Sequence, residues 1–255
     1  MNKEFRRRFM SGESLFGTFI KSPGPYSIEI MAEAGFDFVI IDAEHAPFGK
    51  AAIDHAVLAA RASGIAAIVR VPSGDPCQLM AVLDAGAAGV MVPHVKCPET
   101  AKNIVAGCRY IGGRGYSNSV RAAGFGTRNM WDLVDEVDSE ITIIAMIEDE
   151  EALSAVDGIL RVDGISGLFI GLADLTVSLN DRTETAARAR AAREGILKAC
   201  ASANKPACLL LPRVSEAAAL RAQGASVFVI SSDQGMMRMG AERELQAFEN
   251  ALNEN

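Results

Sequence analysis

Three ionisable residues follow directly on an apolar run: Asp42, Glu44 and His45, in FVIIDAEHAPFG. A charge in that position must be solvated, paired or used, because burying it unpaired is costly. The pattern recurs along the chain. Arg70 ends AAIVR, Glu148 ends ITIIAMIE, Asp174 closes GLFIGLAD, and Ser231, Ser232 and Asp233 follow VFVI. Glu148 and Asp174, with no cysteine cluster or histidine pair beside them, suit a hard divalent cation with oxygen ligands, Mg2+ or Mn2+. Two protein ligands leave positions for water and a chelating substrate, and a 2-oxo acid chelates through its carboxylate and keto oxygens. Arg70 is a fixed cation able to bind a carboxylate or stabilise charge on the keto oxygen. His45 can take and return a proton near neutral pH, and Asp42 could orient it or hold a water with it. A cation and an arginine facing one oxygen stabilise an enolate. Together these residues describe carbon–carbon bond chemistry alpha to a carbonyl.

Plainer readings stand beside these. Glu148 and Asp174 could be solvated strand-end carboxylates, Arg70 the partner of a buried carboxylate, and His45 an ordinary loop residue. Glu44 points away from the Asp42 face if the strand persists and reads as structural or solvated. His94, after a strand, and His55, within a helical stretch, read as structural.

The elements that must position these groups are short apolar runs alternating with helical patterns. Strands are predicted near Leu15–Ile20, Phe38–Ile41, Ala66–Val69, Gly89–Val92, Ile141–Ile147, Gly167–Ile170, Ala207–Leu211 and Val227–Ile230. Each is rich in Val, Ile, Leu or Phe, as strands buried on both faces are. Helices are expected over stretches such as Pro25–Ala34, Lys50–Ala62, Pro76–Ala85 and Pro98–Cys108, several opened by Pro and closed by Gly. Eight βα units in 255 residues predict a single α/β domain, a (β/α)8 TIM barrel. No G-x-G-x-x-G follows the first strand, so a dinucleotide-binding sheet is not supported. In a barrel the polar strand ends share one rim, where active sites lie. One connection, Arg109–Thr127, is long enough to be functional or interfacial.

A formal charge of −7 argues against nonspecific nucleic-acid binding. No apolar run nears the roughly 20 residues of a membrane span, and the charged N-terminus lacks the apolar core of a signal peptide. Cys77, Cys97, Cys108, Cys200 and Cys208 show no C-x-x-C spacing and read as reduced thiols of a cytoplasmic protein.

The segments FDFVIIDAEHAPF, IVRVP, MIE and GLFIGLADL, in that order, resemble the HpcH/HpaI aldolases, metal-dependent (class II) pyruvate aldolases. The resemblance runs from about Gly17 to Ser232. It implies a (β/α)8 barrel, commonly a homohexamer with the last helix exchanged between subunits, that needs a divalent cation (Mg2+, Mn2+ or Co2+) and no organic cofactor. It implies cleavage of a 4-hydroxy-2-oxo acid to pyruvate, or a close 2-oxo acid, and an aldehyde. It assigns His45 as acid/base, Asp42 as its partner through water, Arg70 to the keto oxygen, and Glu148 and Asp174 to the metal. Backbone amides of the turn Gly171, Leu172, Ala173, Asp174 would hold the pyruvate carboxylate. Asp84 matches a further family position and, lying at the far end of its own barrel, would act only in a partner's site. Arg121, in the long loop, would meet the far end of an acidic substrate. Leu210 and Leu211 would face the aldehyde. The chain departs from the family at Met146, where Gln is usual on the face that carries Glu148, and at Leu172, where Pro is common.

Other readings are a Schiff-base aldolase using Lys21, a CoA-thioester lyase of the citrate-lyase type, and a barrel that binds a 2-oxo acid without turning it over. Metal-dependent pyruvate binding without proton exchange would mark the last of these.

Overall fold

A computed structural model describes residues 1–183 and 186–253. Eight strands form a closed parallel barrel in chain order: β1 (Leu15–Ile20), β2 (Phe38–Asp42), β3 (Ala66–Arg70), β4 (Gly89–Val92), β5 (Thr142–Ile147), β6 (Gly167–Ile170), β7 (Ala207–Leu210) and β8 (Ala225–Ser232), with β8 pairing back on β1. The helices are α1 (Asn2–Met10), α2 (Tyr26–Glu33), α3 (Lys50–Ala62), α4 (Pro76–Asp84), α5 (Pro98–Cys108), α6 (Met130–Glu140), α7 (Val156–Leu160), α8 (Leu172–Ser178), α9 (Ala187–Ser202), α10 (Ala217–Ala222) and α11 (Asp233–Asn253). The expected barrel is present, and the predicted strands agree with the observed ones to within two residues at each end.

Alternation along each strand divides the core in two. Val39, Ile41, Val69, Ile143 and Ile147 face the helical layer. Phe38, Ile40, Ile68, Met91, Ile144, Met146 and Phe169 fill the barrel interior. The interior is tightly filled near β1: a Cβ at Gly17 would lie 2.3 Å from the Phe38 ring. The sequence did not foretell the floor of the barrel. Helix α1 is strongly charged, but Phe5 and Phe9, one turn apart, share a face and close the N-terminal end of the barrel. The Phe5 ring lies 5.5 Å from that of Phe38 and 5.8 Å from that of Phe9.

The two charged strand ends on β2 and β3 meet because the register pairs Asp42 with Arg70. The long loop is pinned to its own barrel. Arg121 donates to both carboxylate oxygens of Asp54, at 2.7 and 2.9 Å, and to the Ala85 carbonyl at 3.0 Å. Its guanidinium is therefore occupied within the subunit, not presented to a substrate as expected. Helix α11 touches the barrel only through its first two turns, where Asp233 is buried and Met236 packs against the core, and it is exposed from Ala241 onward. All five cysteines are free. Among the described residues no helix is long and apolar enough to cross a membrane.

Phe9 is fully buried. Phe9→Ala should lower the unfolding free energy by about 3–5 kcal/mol, read as an earlier midpoint in urea titration.

Candidate active site

The C-terminal rim of the barrel collects Lys21 after β1, Asp42 at the end of β2, Glu44 and His45 just beyond, and Arg70 at the end of β3. His94 follows β4, Glu148 and Asp149 follow β5, and Asp174 lies in α8 after β6. Asp42 is completely buried. It accepts from Arg70 Nε at 2.9 Å and Nη2 at 2.8 Å, a two-point pair, and from the main-chain N–H of His45 at 3.1 Å. Lys21 Nζ lies 3.1 Å from its second oxygen. Burial alone would push this carboxyl up. The Arg70 hydrogen bonds and charge, with the His45 N–H and Lys21, outweigh that and hold its pKa down at about 2.

The direct contacts around His45 fall to Glu44 and not to Asp42. Asp42 spends its oxygens on Arg70, Lys21 and a main-chain N–H, and none is directed at the His45 ring. The imidazole is instead 3.5 Å from Glu44, at Nε2. Of the two roles expected for Glu44, structural or solvated, the geometry matches the structural one: its side chain is 12% exposed and lies 3.3 Å from Arg70 Nη1. The sequence periodicity misled because β2 ends at Asp42 and the chain turns, so strand alternation no longer governs Glu44. Arg70 is braced further by the Phe19 ring, 4.8 Å from Cζ, a cation–π contact. Nη1 is then the guanidinium nitrogen not bonded to Asp42.

Glu148 is 3% exposed. Its Oε1 accepts the main-chain N–H of His94 at 2.8 Å. Its Oε2 lies on the Gly171 side: a Cβ on Gly171 would come within 2.9 Å of Oε2 and 2.8 Å of Glu148 Cβ, so only glycine fits there. Burial raises the Glu148 pKa against the pull of the His94 N–H and ring, and the neighbouring charges of Asp174 and Glu44 raise it further. A buried carboxylate with one oxygen held, a second acid beside it and, among the described residues, no lysine or arginine in contact fits a hard divalent cation. The Gly171 N–H is taken by the Ile147 carbonyl at 3.1 Å, so the donors left in this turn are those opening α8, from Leu172 onward.

His94, read from sequence as structural, stands on this rim. Its Nδ1 is 3.0 Å from Asp149 Oδ2 and 3.5 Å from Glu148 Oε1. The hydrogen bond to Asp149 raises its pKa; partial burial opposes this, and the charges of Glu148, Asp149 and Glu44 add to it. His94, Glu148 and Asp149 bring their ligating atoms within 4.8 Å of one another. Met146 lies in the barrel interior beneath Glu148, 1% exposed. Leu211 is half-buried at the end of β7, and Leu210 is exposed. Asp84 ends α4 and accepts from Arg114 Nη2 at 2.6 Å, while the Arg114 guanidinium lies over the Tyr110 ring. It does not join the rim of its own barrel, as expected.

A closed eight-stranded parallel barrel with charged groups gathered at its C-terminal rim is the architecture of a TIM-barrel enzyme. The profile of the HpcH/HpaI aldolase/citrate lyase family matches residues 15–239, and the chain belongs to that family, as an aldolase of the lyase class. It is 37% identical over 178 residues to a hydroxypyruvate/pyruvate aldolase of Roseobacter denitrificans, covering 69% of each chain. It is 34% identical over 241 residues to a pyruvate aldolase of Rhizobium etli, covering 93% of this chain and 94% of that one. Among solved structures, a family member from Burkholderia cenocepacia J2315 superposes with TM-score 0.90 at 27% identity, over 97% and 99% of the two chains. The citrate synthase SbnG superposes with TM-score 0.88 at 32% identity, over 97% and 98%.

Replacing Asp42 by Asn removes the two-point partner of the buried Arg70, leaving only Glu44 beside Nη1, and should destabilise the protein by about 3 kcal/mol. Because the folded pKa is depressed to about 2, the pair contributes fully above the unfolded value. Its contribution fades as pH falls through the folded one. Urea titrations from about pH 5 down to about pH 2 should therefore show the gap between wild type and Asp42→Asn shrinking; a gap independent of pH would contradict the assignment.

Proposed function

We propose that the protein catalyses reversible retro-aldol cleavage of a 4-hydroxy-2-oxo acid to pyruvate, or a close 2-oxo acid, and an aldehyde. The observation that carries this reading is Glu148: buried, with Oε1 held by His94 and Oε2 free of hydrogen bonds among the described residues, beside Asp174 and on the same rim as Arg70 and His45. Glu148 and Asp174 would hold a divalent cation (Mg2+, Mn2+ or Co2+), which when bound supplies Lewis-acid stabilisation of charge developing on a keto oxygen. No organic cofactor is required.

The remaining work falls to this chain's own groups. The substrate carboxylate is bound by main-chain N–H groups opening the turn Leu172, Ala173, Asp174, which Gly171 lets approach Glu148. His45 removes the 4-hydroxyl proton, with Glu44 rather than Asp42 beside its ring. The C3–C4 bond breaks, the aldehyde departs, and the enolate oxygen faces Arg70 through Nη1, while Asp42 fixes the guanidinium plane; protonation of C3, by the proton His45 took up or by water, then gives pyruvate. Leu210, exposed at the end of β7, would border the aldehyde in place of Leu211, which packs toward the helical layer, and Met146 supplies an apolar floor where the family's usual Gln would offer a polar contact.

Assembly completes the reading. Met237, Leu245, Phe248 and Leu252 are exposed along α11, which supports exchange of that helix between subunits of a homo-oligomer, a hexamer as in the family. Asp84, pinned by Arg114, would then act in a neighbour's site.

The likeness to citrate synthase SbnG favours one second reading, in which the same enolate adds to a 2-oxo acid instead of an aldehyde. Product analysis after mixing pyruvate with glycolaldehyde or with oxaloacetate separates the two.

Exhaustive treatment with EDTA should abolish cleavage, and added Mn2+ should restore it; turnover that survives chelation would sink the metal-dependent reading. His45→Ala should lower kcat by about 10²–10⁴-fold, measured by coupling pyruvate release to NADH oxidation. In light scattering after size exclusion, the intact chain should run as an oligomer; a monomer at micromolar concentration would contradict helix exchange.

A further inference from the structure

The mechanism above uses His94 only through its main-chain N–H. The side chain is built more deliberately than that use needs. His94 adopts φ +55°, a left-handed conformation uncommon outside glycine, in which His, like Asn and Asp, is among the better-tolerated side chains, and residues held there are found at functional sites. That conformation goes with an N–H facing Glu148 Oε1 at 2.8 Å and an imidazole Nδ1 facing Asp149 Oδ2 at 3.0 Å. Asp149 is itself held from the other side by Lys96, with Nζ 3.5 Å from Oδ1. The ring is thus fixed at Nδ1 while the side chain stays 59% exposed. Because a carboxylate only accepts, Nδ1 carries the proton shared with Asp149. Nε2 is left over, and among the described residues it has no hydrogen-bond partner.

The surroundings say what Nε2 could meet. The floor beneath Glu148 is apolar, lined by Met146, Ile144 and Phe169, and the β7 side of the rim carries Leu210 and Leu211. The other cations of the rim are engaged: Lys21 and Arg70 are paired with Asp42, and the remaining Arg70 nitrogen, Nη1, is assigned to the keto-acid half of the substrate. A substrate hydroxyl above this floor has His94 Nε2 as its uncommitted partner on the β4 side. Nε2 accepts when the ring is neutral and donates when it is charged, and a hydroxyl satisfies both.

We propose that His94 is a specificity-determining residue that hydrogen-bonds, through Nε2, a hydroxyl on the aldehyde-derived half of the substrate, so that the enzyme favours hydroxyaldehydes over their deoxy analogues. The proposal rests on the aldolase reading of the same site. Asp149 is its positioning partner, holding the ring by Nδ1.

The test is the ratio of kcat/KM for glycolaldehyde to that for acetaldehyde, with pyruvate and Mn2+ in both cases. His94→Asn keeps a residue tolerant of the left-handed backbone but too short to reach, and should lower that ratio about five- to tenfold relative to wild type, as expected for one lost hydrogen bond. Asp149→Asn should shift the ratio in the same direction, and His94→Gln should restore part of it. Circular dichroism and thermal melts confirm that each variant is folded. Calorimetry of pyruvate binding in the presence of Mn2+ supplies the second readout. A ratio unchanged in the folded His94→Asn protein overturns the proposal. So does a loss of pyruvate affinity as large as the loss of glycolaldehyde rate, since His94 would then act through Glu148 alone. If wild type itself fails to bind pyruvate with Mn2+, the aldolase reading falls, and the role of His94 with it.

Discussion

The site is organised around one interaction, the two-point pair between Asp42 and Arg70. Neither side chain could be left at the end of a buried strand alone, since an unpaired charge there costs several kcal/mol. The parallel register of β2 and β3 sets them opposite each other, and two hydrogen bonds at 2.9 and 2.8 Å fix the guanidinium plane. The Phe19 ring below and Glu44 beside Nη1 remove its remaining freedom. Arg70 is thereby made rigid, with one nitrogen directed away from Asp42. Such preorganisation is what electrostatic stabilisation of an enolate requires, because the donor need not reorganise as charge develops.

The other half of the mouth has the opposite imbalance. Glu148, Asp149 and Asp174 gather on the β5–β6 side. Burial and its acidic neighbours raise the pKa of Glu148 despite the His94 N–H and ring. A bound cation would relieve that repulsion without any change of fold. The two halves are complementary: a prepaid ion pair on β2 and β3, and an acid pair awaiting positive charge across the barrel. Helix α1 closes the opposite end with Phe5 and Phe9, which pack against the apolar interior beneath both.

Much of this was legible in the chain. The strands could be placed because each is a compact Val-, Ile- or Phe-rich run bounded by glycine or a charge, and the polar residues at their ends could be put on one rim by the direction of a parallel barrel. Which of them touch was not legible. Asp42 and Arg70 are 28 residues apart, and their pairing depends on strand register, which local periodicity does not encode. The contact of Glu44 with Arg70 was not foreseen because alternation was extended past the end of the strand. His94 was passed over because its partner Asp149 lies 55 residues away, beyond a different strand, and nothing in VPHV announces a left-handed backbone. The floor went unseen because Phe5 and Phe9 sit among arginines and acids, in a segment whose composition reads as surface. Family resemblance assigned roles to residues; geometry then redistributed the partners of two of them.

The central claim is that this rim generates a pyruvate enolate by chemistry that needs a divalent cation. The most direct measurement is incorporation of deuterium from solvent into the methyl group of pyruvate, followed by proton NMR with no aldehyde present. The account predicts loss of the methyl signal with Mn2+-reconstituted protein after the manganese is stripped for detection, and no exchange by the metal-free protein. Equal exchange with and without the metal, or none in either case while pyruvate still binds, would contradict it.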